Sequence, residues 1–263
     1  AVVTELVKLT NNPNVGTDRV GRELKKDPLL VAKVLKIVNS PAFGLRRRVE
    51  SVEQAIGFMG ISMFQKAILA SAMRDVFALG HDQRDAMVFW NHSEVVAAGC
   101  ELIAKRRFPD LVMPAYLCGL FHDCAIPLLC SKFDDYQPLA ELAMDFQDEV
   151  LDMEEMECGT NHCLLGYFFA KSWSLPDSVC LTILHHHALD FDEVGGDTTQ
   201  TLASILRVSE FLVQNYDGSG NTKSVDTAVW AAENRNILDY LSIDSSELCD
   251  FEDELLEILN SNL

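Results

Sequence analysis

Apolar side chains recur at three- and four-residue intervals along almost the whole chain, with no convincing stretch of strand-like alternation. Such a chain is confined to helices packed on helices. Its 263 residues, 48% of them hydrophobic, suffice to bury a large core. The clearest stripe, Val31, Val34, Leu35 and Val38, follows Asp27-Pro28, a good helix start, and is stopped by Asn39-Ser40-Pro41. Ser51-Val52-Glu53-Gln54 has capping-box spacing and opens a second helix, which Gly57 and Gly60 weaken before another over 61–77. Residues 80–85 read as a connection, and a helix over 86–105 carries His92 on its first turns. Pro109 and Pro114 bracket a loop ahead of a helix from Ala115 that ends near His122-Asp123, and Pro127 is incompatible with a helix interior.

The second half continues in the same way. Residues 134–157 hold ten carboxylates and no base, yet Leu139, Leu142, Ala143, Phe146, Val150 and Met153 keep a helical stripe, so the acids read as a solvated face. Asn161-His162 leads a helix ending near Trp173, and Leu175-Pro176 starts another that carries His185, His186 and His187. A polar loop is expected over 192–199, then a helix marked by Leu202, Ile205, Leu206, Phe211 and Leu212. Asp217-Gly218-Ser219-Gly220-Asn221 is the best linker. Leu248, Phe251, Leu255, Ile258 and Leu259 line one face of an acidic amphipathic tail, expected to pack back on the domain.

Within this helical frame, His122-Asp123 stands out, because it follows the apolar run Gly119-Leu120-Phe121. Burying an imidazole and a carboxylate costs several kcal/mol unless they pair, hydrogen-bond or bind a cation. Adjacent helix positions face apart, so the partners must come from elsewhere in the chain. The remaining histidines include His92, His162 and the run from His185 to His187, a scattered set on which a divalent metal site could draw. A hydrogen-bonded structural pair, a metal-ligand pair and a catalytic pair all remain open for His122-Asp123. His162, next to a helix start, also reads as a capping histidine, His185 as surface, and Trp90 and Trp173 as core.

Residues 1–133 hold 17 Lys/Arg against 13 Asp/Glu, whereas residues 134–263 hold 4 against 27. The acidic half and a pI near 4.6 argue against nucleic acid as the ligand. Arg46-Arg47-Arg48 reads as a solvated basic loop, with an anionic partner as the alternative. The eight cysteines form no CxxC pair and read as reduced core residues. No uninterrupted apolar run reaches membrane-spanning length and no signal-peptide pattern is present, so a cytoplasmic protein without a membrane partner is expected. The first residue is Ala1, not methionine, which reads as a processed or excised piece of a longer product.

Several of these segments resemble the HDOD family, the HD-related output domain of bacterial signalling proteins. The resemblance rests on Asp27-Pro28-Leu29-Leu30, Asn39-Ser40-Pro41-Ala42-Phe43-Gly44 and Ser51-Val52-Glu53-Gln54-Ala55-Ile56 with Gly60 in the first half. In the second half it rests on Trp90-Asn91-His92, Gly119-Leu120-Phe121-His122-Asp123, Asn161-His162, Gly166, Trp173-Ser174-Leu175-Pro176 and the histidine run. It implies an all-α fold, an N-terminal helical bundle packed against an HD-like lobe, with short C-terminal helices. The expected division is an HDOD domain over 1–216, with lobes 1–84 and 85–216, followed by a linker and acidic helical extension over 217–263.

By the same resemblance, His92, His122 and Asp123 fall where HD phosphohydrolases hold metal, and His162, His186 and His187 fall near the further ligands. The metal would be Mn, Fe or Zn. The closing Asp of the HD pattern is replaced: in Ile205-Leu206-Arg207-Val208-Ser209-Glu210 the matching position holds Ser209, with Glu210 turned about a quarter of the helix away. No Lys follows Asp123 closely, and no Gly-Tyr-Pro follows the histidine run. The expectation is a signalling output or scaffold domain that acts through contacts with another signalling protein, its pocket degenerate and without catalytic residues. The alternatives are a metal-dependent phosphohydrolase of nucleotides or cyclic dinucleotides, and a non-catalytic metal or nucleotide sensor.

Overall fold

The computed structural model describes residues 5, 6, 9, 16–38, 49–77, 83–144, 149–188, 196–214 and 227–261, and among them it is all-helical, without a strand. The turn at Asn39-Ser40-Pro41, the basic run Arg46-Arg47-Arg48 and the linker Asp217-Gly218-Ser219-Gly220-Asn221 lie outside the described residues.

The N-terminal part is built from α1 (Thr17–Leu24), α2 (Pro28–Val38) and α3 (Val52–Phe77). Asp27 caps α2 by accepting from the Leu30 amide at 3.0 Å. Ser51 caps α3 through the Gln54 amide at 3.1 Å, and Gln54 answers by accepting from the Glu50 amide. Gly60 sits at φ 77°, ψ 168°, so the helix is broken there, where an L side chain would be strained. Val20, Leu24, Leu30, Val34, Val38, Val52, Phe64 and Ile68 form one apolar cluster, while Leu69, one residue further along α3, belongs to a second and larger one.

That second cluster gathers all later helices. They are α4 (Gln83–Arg107), α5 (Val112–Phe121), α6 (Ile126–Lys132), α7 (Gln137–Met144), α8 (Val150–Cys158), α9 (His162–Ser172), α10 (Asp177–His185), α11 (Asp197–Gln214), α12 (Thr227–Glu233), α13 (Arg235–Leu241) and α14 (Ser245–Ser261). Several sequence boundaries move. Residues 83–85 are already helical in α4, and α5 begins before Pro114, which occupies its first turn, where a missing N–H costs nothing. Pro127 likewise sits in the first turn of α6. His186 and His187 lie in the turn after α10, and α11 begins at Asp197, inside the stretch expected as loop.

The solvated-face reading of the acidic stretch needs one correction. Met153 is 42% exposed, whereas Glu154 is fully buried, one turn after buried Val150. The tail packs onto the domain: Trp230 stacks on Phe211 with ring centroids 4.2 Å apart, and Leu248, Phe251 and Leu255 are buried. Arg106 and Arg107 of α4 pair with Glu254 and Glu247 of α14. All eight cysteines are free thiols. The segment Pro109–Lys132 is long and apolar enough to cross a membrane by length and composition, but 67% of its window is buried in the fold. The turn at 122–125 also breaks it.

Candidate metal centre

Two glycines set the distances on which the site depends. A Cβ on Gly119 of α5 would lie 2.6 Å from the Ala97 Cα of α4, so α4 and α5 touch backbone to backbone, one helix bearing His92 and the other leading into His122. Because α5 ends at Phe121, the Gly119 carbonyl in its last turn is free to accept from His122 Nδ1 at 2.8 Å, which turns Nε2 into the pocket. On α4, Gly99 faces Ser209 of α11, where an added Cβ would come within 3.2 Å of the Ser209 Cβ. Ser209 is buried and donates to the Ile205 carbonyl at 2.8 Å, so its hydroxyl is spent on its own helix.

The residue that closes the site is Glu210. It is 2% exposed, with Oε1 2.7 Å from His122 Nε2 and Oε2 3.6 Å from His92 Nε2. Ser209 is the wrong place to look because it fills the narrow contact with Gly99; the next side chain on α11 points inward. The sequence contained this signal, an acid beside the expected position, but not the Gly99 contact that decides between the two.

All the sequence-predicted ligands meet here. His92, His122 and Asp123 form one group, and His162, His186 and His187 another, with the ligand atoms of each group within 4.8 Å of one another. Asp123 stands between them. Its Oδ2 is 3.2 Å from His122 Nε2 and 3.8 Å from His92 Nε2, while its Oδ1 is 3.4 Å from His186 Nε2 and 3.6 Å from His162 Nε2. The Nε2 atoms of His162 and His186 are 3.3 Å apart. His186 is held by its own Nδ1 bond to the Ile183 carbonyl at 2.8 Å, as His122 is by Gly119. His185 stays outside the cluster, half-buried.

In the metal-free pocket, buried carboxylates and histidines set one another's charge. Burial alone would lower His122, but Asp123 and Glu210 hold it well above the usual histidine range. Asp123 is held well below the carboxylate range, burial notwithstanding, by His122, His186 and His162. Glu210 is lowered against burial by His122 and His92. Burial, His186 and His162 together push His187 far down, so it stays neutral, the form that binds metal.

The fit to a metal rests on orphaned atoms. His92 Nε2, His122 Nε2, Asp123 Oδ1 and both Glu210 oxygens are buried and have no hydrogen-bond partner among the described residues. In the metal-free pocket Glu210 Oε1, 2.7 Å from His122 Nε2, stands as the counter-ion of that ring. His92 Nε2, His122 Nε2 and the Glu210 oxygens lie together on one side, and Asp123 Oδ1 lies on the other beside His162 and His186. Leaving them so would cost several kcal/mol, and a cation would satisfy them together. Imidazole with carboxylate suits Zn, Fe and Mn.

Residues 1–189 match the family model of the HDOD domain. Among curated proteins, an uncharacterised protein of Treponema pallidum (strain Nichols) is 26% identical over 189 residues, covering 70% of this chain and 36% of its own length. The uncharacterised YuxH protein of Bacillus subtilis (strain 168) is 28% identical over 120 residues, 46% of this chain and 28% of that one. The chain thus spans about a third of the length of these relatives. Among solved structures, an HDOD domain protein of unknown function from Geobacter sulfurreducens aligns with TM-score 0.77 at 26% identity, over 99% of this chain and 90% of that one. A candidate phosphohydrolase from Shewanella amazonensis aligns at TM-score 0.72 and 21% identity, over 99% and 90%. A candidate signal transduction protein from Marinobacter aquaeolei aligns at TM-score 0.77 and 20% identity, over 99% and 57%.

Proposed function

This chain belongs to the HDOD domain family, and from that premise we propose that it is a signal-transduction domain whose His/Asp/Glu pocket binds divalent metal. One observation carries the reading: buried ligand atoms of His92, His122 and Glu210 that no hydrogen bond satisfies lie together beside Asp123 Oδ2. This revises the expectation of a degenerate pocket, because the missing closing Asp is answered by Glu210. His92, His122, Asp123 and Glu210 would hold one ion; Asp123, His162, His186 and His187 would hold a second. Output runs through contacts with another signalling protein, for which the strongly acidic C-terminal half supplies a long-range electrostatic guide. The division into two lobes belongs to the same proposal; two separate apolar clusters support it, although they part within α3 between Ile68 and Leu69 and not near residue 84.

A second reading, hydrolysis of a nucleotide or cyclic dinucleotide phosphoester, is favoured by Asp123, which divides its two oxygens between the two groups. Metal bound there would supply a Lewis acid and lower the pKa of water. The absent Lys and Gly-Tyr-Pro weigh against it.

Metal content of untagged protein purified without chelator, beside a folded His122→Ala/Asp123→Ala variant, tests the first reading. Stoichiometric metal that is lost in the variant supports it; equal content in both refutes it. For the second reading, turnover of bis(p-nitrophenyl) phosphate or a cyclic dinucleotide by Mn-loaded protein is required, and none across such a panel rejects it.

A further inference from the structure

Of the ten carboxylates over 134–157, Glu154 is turned fully inside. The groups that meet its oxygens are all donors. Tyr136, itself buried, donates its hydroxyl to Oε1. The His162 amide donates to Oε2 at 2.8 Å, and His162 Nδ1 lies 2.9 Å from Oε1 and 2.8 Å from Oε2. Burial and the Glu154 charge push the Tyr136 phenol up, so it remains a donor. A carboxylate gripping both the backbone and the ring of one residue fixes that residue's position and rotation together.

We infer that Glu154 is the positioning residue of the second ligand group, holding the His162 ring with its proton on Nδ1 and Nε2 turned toward Asp123 Oδ1 and His186 Nε2. His122 and His186 have backbone carbonyls, Gly119 and Ile183, to perform this task. Asn161, the cap of α9, spends its side-chain oxygen on the Leu164 amide, which leaves the His162 amide and ring to Glu154. A carboxylate partner also makes the opposite ring nitrogen a better donor to metal than a carbonyl partner does. The role of Glu154 in metal uptake rests on the metal-binding reading above; its hold on the ring does not.

The test compares wild type with Glu154→Gln, of equal shape but with one acceptor oxygen for three donors, and with Glu154→Asp, which keeps the charge on a shorter arm. Long-range 15N–1H spectra of the metal-free proteins report which nitrogen of His162 carries the proton, and Mn2+ titration counts equivalents and affinities. Wild type is expected to show an Nδ1–H ring and two equivalents. Glu154→Gln is expected to show mixed tautomers and a second equivalent weakened 10–100-fold, with the first unchanged and Glu154→Asp between. An unchanged ring in the variants overturns the inference, as does an unchanged second equivalent or a wild type that takes only one. Should wild type take no metal, the metal-binding reading fails by itself and the ring spectra alone decide the positioning role.

Discussion

Replacing Glu210 by Gln should remove most of the stabilisation that the first ion gives this fold. The side chain keeps its shape, but the carboxylate lying 2.7 Å from His122 and 3.6 Å from His92 is gone, leaving two imidazoles and Asp123. Loss of one such ligand weakens the site by about 100-fold, the upper end of what losing a ligand's outer partner costs. At a free metal concentration about 1,000 times the wild-type dissociation constant, binding stabilises the folded state by about 4.1 kcal/mol. The same concentration is only about ten times the dissociation constant of the variant, which gains about 1.4 kcal/mol. The difference corresponds to roughly 5–11 °C in the metal-induced rise of Tm at this chain length. Thermal unfolding of both proteins, each with and without Mn2+, reads this directly, and taking each variant against its own metal-free form cancels changes in basal stability. Ser209→Ala is the control and should keep the full rise. Equal rises in wild type and Glu210→Gln would refute the assignment, as would a rise lost in Ser209→Ala.

Gly119→Ala places a methyl 2.6 Å from the Ala97 backbone, so it should destabilise the fold by about 1–3 kcal/mol in urea unfolding and weaken metal uptake by spreading α4 from α5. In metal-free protein, His187 is kept neutral when folded but takes a proton when unfolded below about pH 6.5. The contribution of His187 therefore falls as pH drops from 7 to 5, approaching about 1.4 kcal/mol per pH unit. His122 and His186, the latter raised to about 9, act in the opposite sense, with their contribution full below about pH 6.5 and lost as pH rises through their folded values. Asp123 and Glu210, held low, lose theirs only below the carboxylate range. His187→Gln should flatten the fall, and denaturant melts at pH 7 and pH 5 showing an unaltered slope would reject this. For the tail, Phe251→Ala should cost about 3–5 kcal/mol in chemical unfolding, whereas Arg107→Ala, breaking a half-exposed pair with Glu247, should cost under about 1 kcal/mol.

The all-helical fold was legible because helix starts carry their own chemistry. Asp27-Pro28, Ser51 with Gln54, and Asn161 all open helices where their side chains can cap amides, and the Gly60 break is written in a residue free to adopt positive φ. That His92, His122, Asp123, His162, His186 and His187 would gather was legible from the HDOD resemblance, and for His122-Asp123 also from the cost of burying imidazole and carboxylate. Two acids were not. Glu154 hid in a run of ten carboxylates, and a stripe drawn through Met153 was one residue out of phase with the face buried by Val150. Glu210 was set aside because helix geometry separates it from Ser209, yet the Gly99 contact occupies the Ser209 side and turns the next residue inward. Both depend on which tertiary neighbour each helix face meets, and periodicity carries no such information.

The most direct test of the central claim is an anomalous difference map from a crystal of this protein grown with Mn2+. The account predicts a peak within coordination distance of His92 Nε2, His122 Nε2, an Asp123 oxygen and a Glu210 oxygen, and away from Ser209. A map with no peak among these side chains, from crystals that hold Mn2+ in their mother liquor, would contradict it.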